Sequence, residues 1–243
     1  MCLWRSRAKR SSYRHFIRLA EFGDFRTFWV WWIRMKNYEA ALELIKGRRS
    51  IRAYTEESVS QEQIAGIIEA GRYAPSAKNL QPWRFIVITD RDAIASLSGG
   101  VKRTIRKILC AKPVLGLFSP SLRNPIYNNH LSKVANSDKD LVFFDAPLLI
   151  FVTSTKGMFN DVSCACCAEN MMLAAHAMGL GSCWIGYARF LEYGRGFYRK
   201  IGVPRGQHVV AAIAFGHPVK VPKNALPRKE EAGVINRIGE NGK

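Results

Sequence analysis

Three guanidinium groups fall within five residues, at Arg48, Arg49 and Arg52, with the hydroxyl of Ser50 among them. A guanidinium offers a rigid fork of donors to two oxygens at once, so this spacing suits a phosphate or another oxyanion. A solvated helix end is the alternative reading, because most charge runs are exposed faces. The second segment of interest is Ala74-Pro75-Ser76-Ala77-Lys78-Asn79-Leu80-Gln81-Pro82-Trp83-Arg84-Phe85. Pro75 and Pro82 exclude helix interior and central strand between them, which places Ser76, Asn79 and Gln81 on a loop of restricted shape. Asn79 and Gln81 each carry a donor and an acceptor, the equipment needed at the polar edge of a ring and along a hydroxylated chain. Taken alone, this loop also reads as an ordinary proline-rich turn.

The elements that must hold these residues are partly legible. Tyr38–Lys46 is expected as a helix with apolar positions Ala41, Leu42 and Ile45. Ser60-Gln61-Glu62-Gln63 is a capping box, and Ile64, Ile67 and Ile68 follow at helical spacing up to Gly71. Arg84–Thr89 reads as a strand and Asp92–Leu97 as a short helix. Residues 99–140 show no clear period. Ala146–Thr153 is nearly continuous in apolar residues, the mark of a strand buried on both faces. Asp161–Met178 reads as a long helix closed by Gly179, and its Ala, Cys and Met content permits close helix approach. His208–Phe215 completes a last strand. The chain therefore mixes helices and strands, and no internal repeat is visible.

Length and composition narrow the class. A chain of 243 residues with 48% hydrophobic content can bury one sizeable core. Its longest apolar run near the N-terminus, Phe28–Ile33, is far shorter than the roughly 18 residues of a membrane span. Six cysteines at 2, 110, 164, 166, 167 and 183 show no secreted disulfide framework, which points to a reducing cytoplasm. Cys164, Cys166 and Cys167 do not converge on one ion from a helix, so small packing residues are expected there and no metal site. Gly179-x-Gly181 lacks the third glycine and the preceding strand of a dinucleotide fingerprint. His176 is expected as a core or interface histidine; His130 is read either as a substrate contact or as an exposed loop residue.

The net charge of +18 is uneven. Residues 1–37 carry nine Lys or Arg against two acidic groups, hence +7, together with four of the six tryptophans. Such a piece suits an anionic membrane surface or a nucleic acid, although it lacks the organisation of a signal peptide. Residues 1–37 are accordingly set apart as a basic aromatic extension. Residues 1–34 read as a disordered arm or a segment ahead of the true start, or alternatively as a membrane-binding or partner-binding helix.

Four ordered motifs carry a resemblance: Arg48–Tyr54, Ala74–Phe85, Gly179-Leu180-Gly181-Ser182-Cys183-Trp184-Ile185-Gly186, and Ala214-Phe215-Gly216-His217-Pro218 continued by Pro227-Arg228-Lys229. Together they resemble the nitroreductase family from about Tyr38 to Arg228. The resemblance implies an α+β fold, with a mostly antiparallel central sheet flanked by helices, in an intertwined homodimer, and residues 38–243 as the FMN-binding domain. It implies an enzyme that passes hydride from NADH or NADPH through FMN to a nitroaromatic, quinone or similar small acceptor, with no catalytic side chain. Arg48 and Ser50, with Arg49 adjacent, match positions that hold the flavin phosphate; Arg228 matches a second phosphate ligand, with Lys229 beside it. Arg52 matches a cation near the pyrimidine edge, and the backbone of Ile185 and Gly186 matches the segment beside ring N5. Pro75, Ser76, Asn79 and Gln81 match a loop that reaches the flavin from the partner subunit. An asparagine and a lysine of some relatives have no match here, which leaves the nicotinamide and substrate contacts unplaced. Two other functions remain open: a related flavoenzyme for dehalogenation or dehydrogenation of a specific metabolite, and, from charge alone, a flavin-free module binding nucleic acid or a membrane surface. In the flavoenzyme readings no nucleic-acid partner is expected.

Overall fold

The computed structural model describes residues 25–118, 120–194, 196–229 and 233. Most of the basic aromatic N-terminal piece lies outside the described residues. Two compact units are distinguished, Met1–Lys46 and Gly47–Lys243. In the first stands helix α1 (Phe25–Gly47), which contains the predicted helix at Tyr38–Lys46 and begins well before it.

The second unit is built on four strands: β1 (Arg84–Ile88), β2 (Leu148–Thr155), β3 (Gly181–Trp184) and β4 (Gln207–Gly216). They pair antiparallel in the order β1-β2-β4-β3. Alternation along β2 explains the layering. Leu149 and Phe151 enter one apolar cluster while Leu148, Ile150 and Val152 enter another, so the strand is covered on both faces. The first cluster packs α3 (Arg91–Cys110) and α6 (Pro125–Asn136) on one face of the sheet; the second packs α2 (Gln61–Arg72) and α7 (Asn160–Ala177) on the other. Short helices α4 (Lys112–Phe118) and α5 (Pro120–Arg123) link α3 to α6, and α8 (Phe197–Lys200) precedes β4. The architecture is α+β, as expected.

Local signals explain several of these elements. Ser60 Oγ accepts from Gln63 N–H at 3.2 Å while Gln63 Oε1 accepts from Ser60 N–H at 3.0 Å, completing the capping box of α2. Gly179 ends α7 in the left-handed region at φ 77°; its N–H donates to His176 O, and Leu180 N–H donates to Ala175 O at 2.8 Å. Cys164 and Cys167 are fully buried on α7. Against them, α2 approaches so closely at Gly71 that a Cβ there would lie 2.8 Å from Met171 Cγ. Burial pushes the two thiols up, to about 11 at Cys164 and about 12 at Cys167. The short helix expected at Asp92–Leu97 instead runs 20 residues, through Gly99 and Gly100. One buried row, Ile94, Leu97, Val101 and Ile105, spans those glycines, and packing outweighs their helix penalty of about 1 kcal/mol each.

Candidate functional site

The arginine segment lies along the edge of β3. Ser50 pairs with Ser182 in parallel, and Ile51 N–H donates to Ser182 O at 2.9 Å. The approach requires a glycine opposite: a Cβ on Gly181 would sit 2.8 Å from Ile51 Cβ. Beyond Ile51, the Tyr54 hydroxyl donates to Ile51 O at 2.8 Å, Thr55 N–H to His217 O at 2.9 Å, and Val219 N–H to Ala53 O at 3.1 Å. Burial drives the Tyr54 hydroxyl far above its ordinary range, so it stays protonated and keeps donating.

The two ends of this segment meet different surroundings. At its start, Arg48 Nε lies 3.6 Å from Glu169 Oε1 of α7, while Arg48 Nη1 is buried without a hydrogen-bond partner. Ser182 Oγ, 2% exposed, is likewise without one. Arg49 Nη1 donates to Gly47 O at 3.1 Å and to Arg48 O at 2.9 Å. His176 closes this corner, with Nε2 set 2.8 Å from where a Gly47 Cβ would stand. Burial, then the charges of Arg48 and Arg49, hold its pKa below 6.5. A buried donor left unpaired costs about 1–3 kcal/mol, more when charged. A phosphate here would satisfy Arg48 Nη1, so the residues present fit the anionic end of a cofactor.

At the other end, Arg52 opens onto a cavity of about 560 Å³. Cys183, beneath it, hydrogen-bonds Arg52; burial pushes the thiol up, against the pull of Arg52 and Arg48. The chain then leaves β3 through buried Ile185, whose N–H donates to Ala212 O at 2.8 Å, and reaches exposed Gly186 at the start of a 3₁₀ helix (Gly186–Leu191). A Cβ on Gly186 would meet nothing within 4 Å, so its backbone faces open space. Across the cavity, α6 presents Tyr127, His130 and Lys133 three residues apart on one face. His130 packs on Tyr187 with ring centroids 6.0 Å apart, and Tyr187 stacks on Phe190 at 6.4 Å. Phe144 adds a further wall in a left-handed conformation at φ 61°, followed by Asp145 at 52°. Asp140 holds that turn: Oδ1 accepts from Ser98 Oγ at 2.6 Å, Val142 N–H at 2.9 Å and Phe143 N–H at 3.1 Å. Its Oδ2 accepts from Asp145 N–H at 3.4 Å.

The predicted loop is elsewhere. Ala77–Asn79 form one 3₁₀ turn, and Lys78, Asn79 and Gln81 all take positive φ, 52°, 55° and 46°. Ser76 Oγ accepts from Gln81 N–H at 3.1 Å, and Gln81 Nε2 donates to Asn79 Oδ1 at 3.0 Å, which keeps the exposed amides in one patch. Pro75 is exposed beside them. The loop leads into β1 at Arg84, which pairs with Thr153, whereas Ser50 joins β3 level with Phe215 and Leu148. Four strand spacings across and five residues along separate Arg84 from Ser50, about 25 Å on a flat sheet. Within one chain, loop and arginines thus occupy diagonally opposite corners. Arg228 and Lys229 are exposed on the tail after β4, and among the described residues neither has a hydrogen-bond or ion-pair partner.

Sequence reasoning did not find Tyr127, Lys133, Phe144 or Glu169. Asn124-Pro125 was a usable helix-start signal, since Asn124 Oδ1 caps the N–H of Ile126 at 2.9 Å and Pro125 is the first helical residue. From it, Tyr127, His130 and Lys133 fall on one face.

The Nitroreductase family pattern matches residues 45–217. The chain belongs to this family. It is 28% identical over 214 residues to the nitrobenzene nitroreductase of Ectopseudomonas oleovorans, covering 77% of this chain and 89% of that one. It is also 28% identical over 201 residues to the oxygen-insensitive NADPH nitroreductase of Helicobacter acinonychis, covering 77% and 92%. The crystal structure of a nitroreductase with bound FMN from Bacteroides fragilis is similar over 82% of this chain and 98% of that one, with 27% identity and a TM-score of 0.62.

Proposed function

We propose that this chain is an FMN-dependent oxidoreductase that uses NADH or NADPH to reduce a nitroaromatic, quinone or similar small acceptor. One observation carries the reading: a single extended segment joins a corner that holds a buried guanidinium nitrogen without a hydrogen-bond partner, Arg48 Nη1, to a ring-sized cavity at Arg52. FMN held here would supply the redox chemistry that links the nicotinamide to the acceptor. Arg48, Ser50 and the backbone-anchored Arg49 hold the phosphate, with Arg228 and Lys229 recruited from the tail. Arg52 sets a fixed positive charge at the cavity's end, which favours electron uptake there. The open backbone at Gly186, next to buried Ile185, lets a planar ring approach, and Tyr187, Phe190 and Phe144 give the cavity an aromatic wall.

The diagonal separation supports a second part of the reading. Two copies of the chain form the site, and Pro75, Ser76, Asn79 and Gln81 of one copy reach the cofactor held by Arg48–Arg52 of the other. The test is the absorbance spectrum of the purified full chain, followed by its bleaching with NADH and with NADPH. A yellow protein bleached by either is expected. A colourless protein that takes up no FMN overturns the assignment.

A further inference from the structure

The cavity at Arg52 is lined by fourteen residues, two of them basic, Arg52 and Lys133, and none of them Asp or Glu. The cations stand at different places. Arg52 comes from the segment along β3 and touches Cys183, whereas Lys133 comes from α6, across the cavity, in line with Tyr127 and His130. Among the described residues Lys133 has no hydrogen-bond or ion-pair partner. The same lining is rich in aromatic rings, with His130 on Tyr187, Tyr187 on Phe190, and Phe144. Such a wall accepts a planar ring by stacking and edge contacts, while the unbalanced positive charge rejects cationic substituents and attracts anionic ones.

We infer that the cavity selects planar aromatic acceptors that bear an acidic substituent, a carboxylate or phenolate, with Lys133 as the residue that recognises the anion. This rests on the flavoenzyme reading above, in which Arg52 is committed to the cofactor and Lys133 is the cation left to the acceptor. Lys133 is a specificity-determining residue in this account and takes no part in electron transfer. Its head is exposed, so the attraction is that of a solvent-accessible ion pair, about a threefold to fivefold effect on affinity, and it fades with salt.

The test uses the full chain with its flavin and two matched probes of equal shape, 4-nitrobenzoate and 4-nitrobenzamide. Reduction of either nitro group to nitroso consumes one NADPH and one solvent proton and releases one water, so nicotinamide oxidation reports turnover; calorimetric titration of each probe into the oxidised protein reports binding alone. We expect a KM and a Kd for the acid about threefold to fivefold below those for the amide, with similar kcat, and the gap narrowing at 0.5 M salt. Lys133→Gln should remove the gap by weakening the acid alone, and Lys133→Glu should reverse it, with flavin content and the KM for NADPH unchanged. Equal affinity for acid and amide in the parent protein overturns the inference. So does a gap that survives in Lys133→Gln, or a substitution that changes only the KM for NADPH. Each of those results leaves the flavoenzyme assignment standing. A protein without flavin and without turnover of either probe removes that assignment first and this inference with it.

Discussion

Arg48 has incomplete surroundings: its Nη1 is buried with no acceptor, while its Nε lies 3.6 Å from Glu169 Oε1. Removing it should therefore weaken cofactor binding far more than it changes the stability of the flavin-free protein. Arg48→Ala is expected to raise the Kd for FMN about 10–100-fold, the worth of one or two charge-assisted hydrogen bonds. The flavin-free protein should lose little or no stability, because an unpaired buried donor leaves with the side chain. Fluorescence titration and thermal melts of the same preparation would separate the two; unchanged flavin affinity removes Arg48 from the phosphate corner. His176 makes a distinct prediction. Its folded-state pKa is depressed by burial and by Arg48 and Arg49, so below 6.5 the unfolded chain takes up a proton that the folded one refuses. Stability of the flavin-free protein should then be full above 6.5 and fall as pH drops through the region beneath it. His176→Gln should flatten that part of the profile in denaturant melts, and an identical slope in parent and variant would show that His176 is not the titrating group.

Among the elements, the turn from Asp140 to Asp145 does the least visible work and has the clearest consequence. Two successive non-glycine residues in the left-handed region cost about 1 kcal/mol each, and four hydrogen bonds to one carboxylate offset that cost. Asp140→Ala should destabilise the fold by about 3 kcal/mol, since it strands the buried Ser98 hydroxyl and several turn N–H groups. Asp140→Asn keeps an acceptor oxygen and should cost less, about 1 kcal/mol. In both, release of Phe144 should raise the KM for an aromatic acceptor more than it lowers kcat, a split that a purely structural role would not produce. Neither this turn nor the cavity was legible in the sequence, whereas much of the scaffold was. The capping box at Ser60, the left-handed stop at Gly179 and the apolar run of β2 are signals written in neighbouring residues, and each element formed within a few positions of its expected bounds. β3 was not legible, since four residues, Gly-Ser-Cys-Trp, carry no period; its identity comes from pairing with β4 and from Ile51 packing on Gly181. Residues 99–140 were illegible for a related reason. Gly99 and Gly100 interrupt the local pattern of α3, and only the distant partners of Val101 and Ile105 restore it.

At the scale of the whole molecule, the candidate site was legible as motifs but not as a place. Arg48–Arg52 and the Pro75–Pro82 loop are only some 25 residues apart in sequence, yet β2, β4 and β3 intervene between their strands in the sheet. If one cofactor needs both, two chains must supply them, and subunit mixing distinguishes this from any arrangement inside one chain. Take Arg48→Ala as one parent and a loop variant with Asn79→Ala and Gln81→Ala as the other. In the shared arrangement each homodimer carries two damaged sites. The mixed dimer, however, pairs the intact arginines of one chain with the intact loop of the other at one site and collects both defects at the second. Random pairing in a two-fold dimer makes about half the dimers mixed, so about a quarter of all sites should regain parental flavin affinity. In an arrangement confined to one chain, every site of the mixed dimer keeps one defect and nothing is regained. Co-expression with two different affinity tags, tandem purification of the mixed species, and its flavin content per chain give the answer. A value near one half in the purified mixed dimer is expected, and a value no higher than those of the parents would place the site within a single chain.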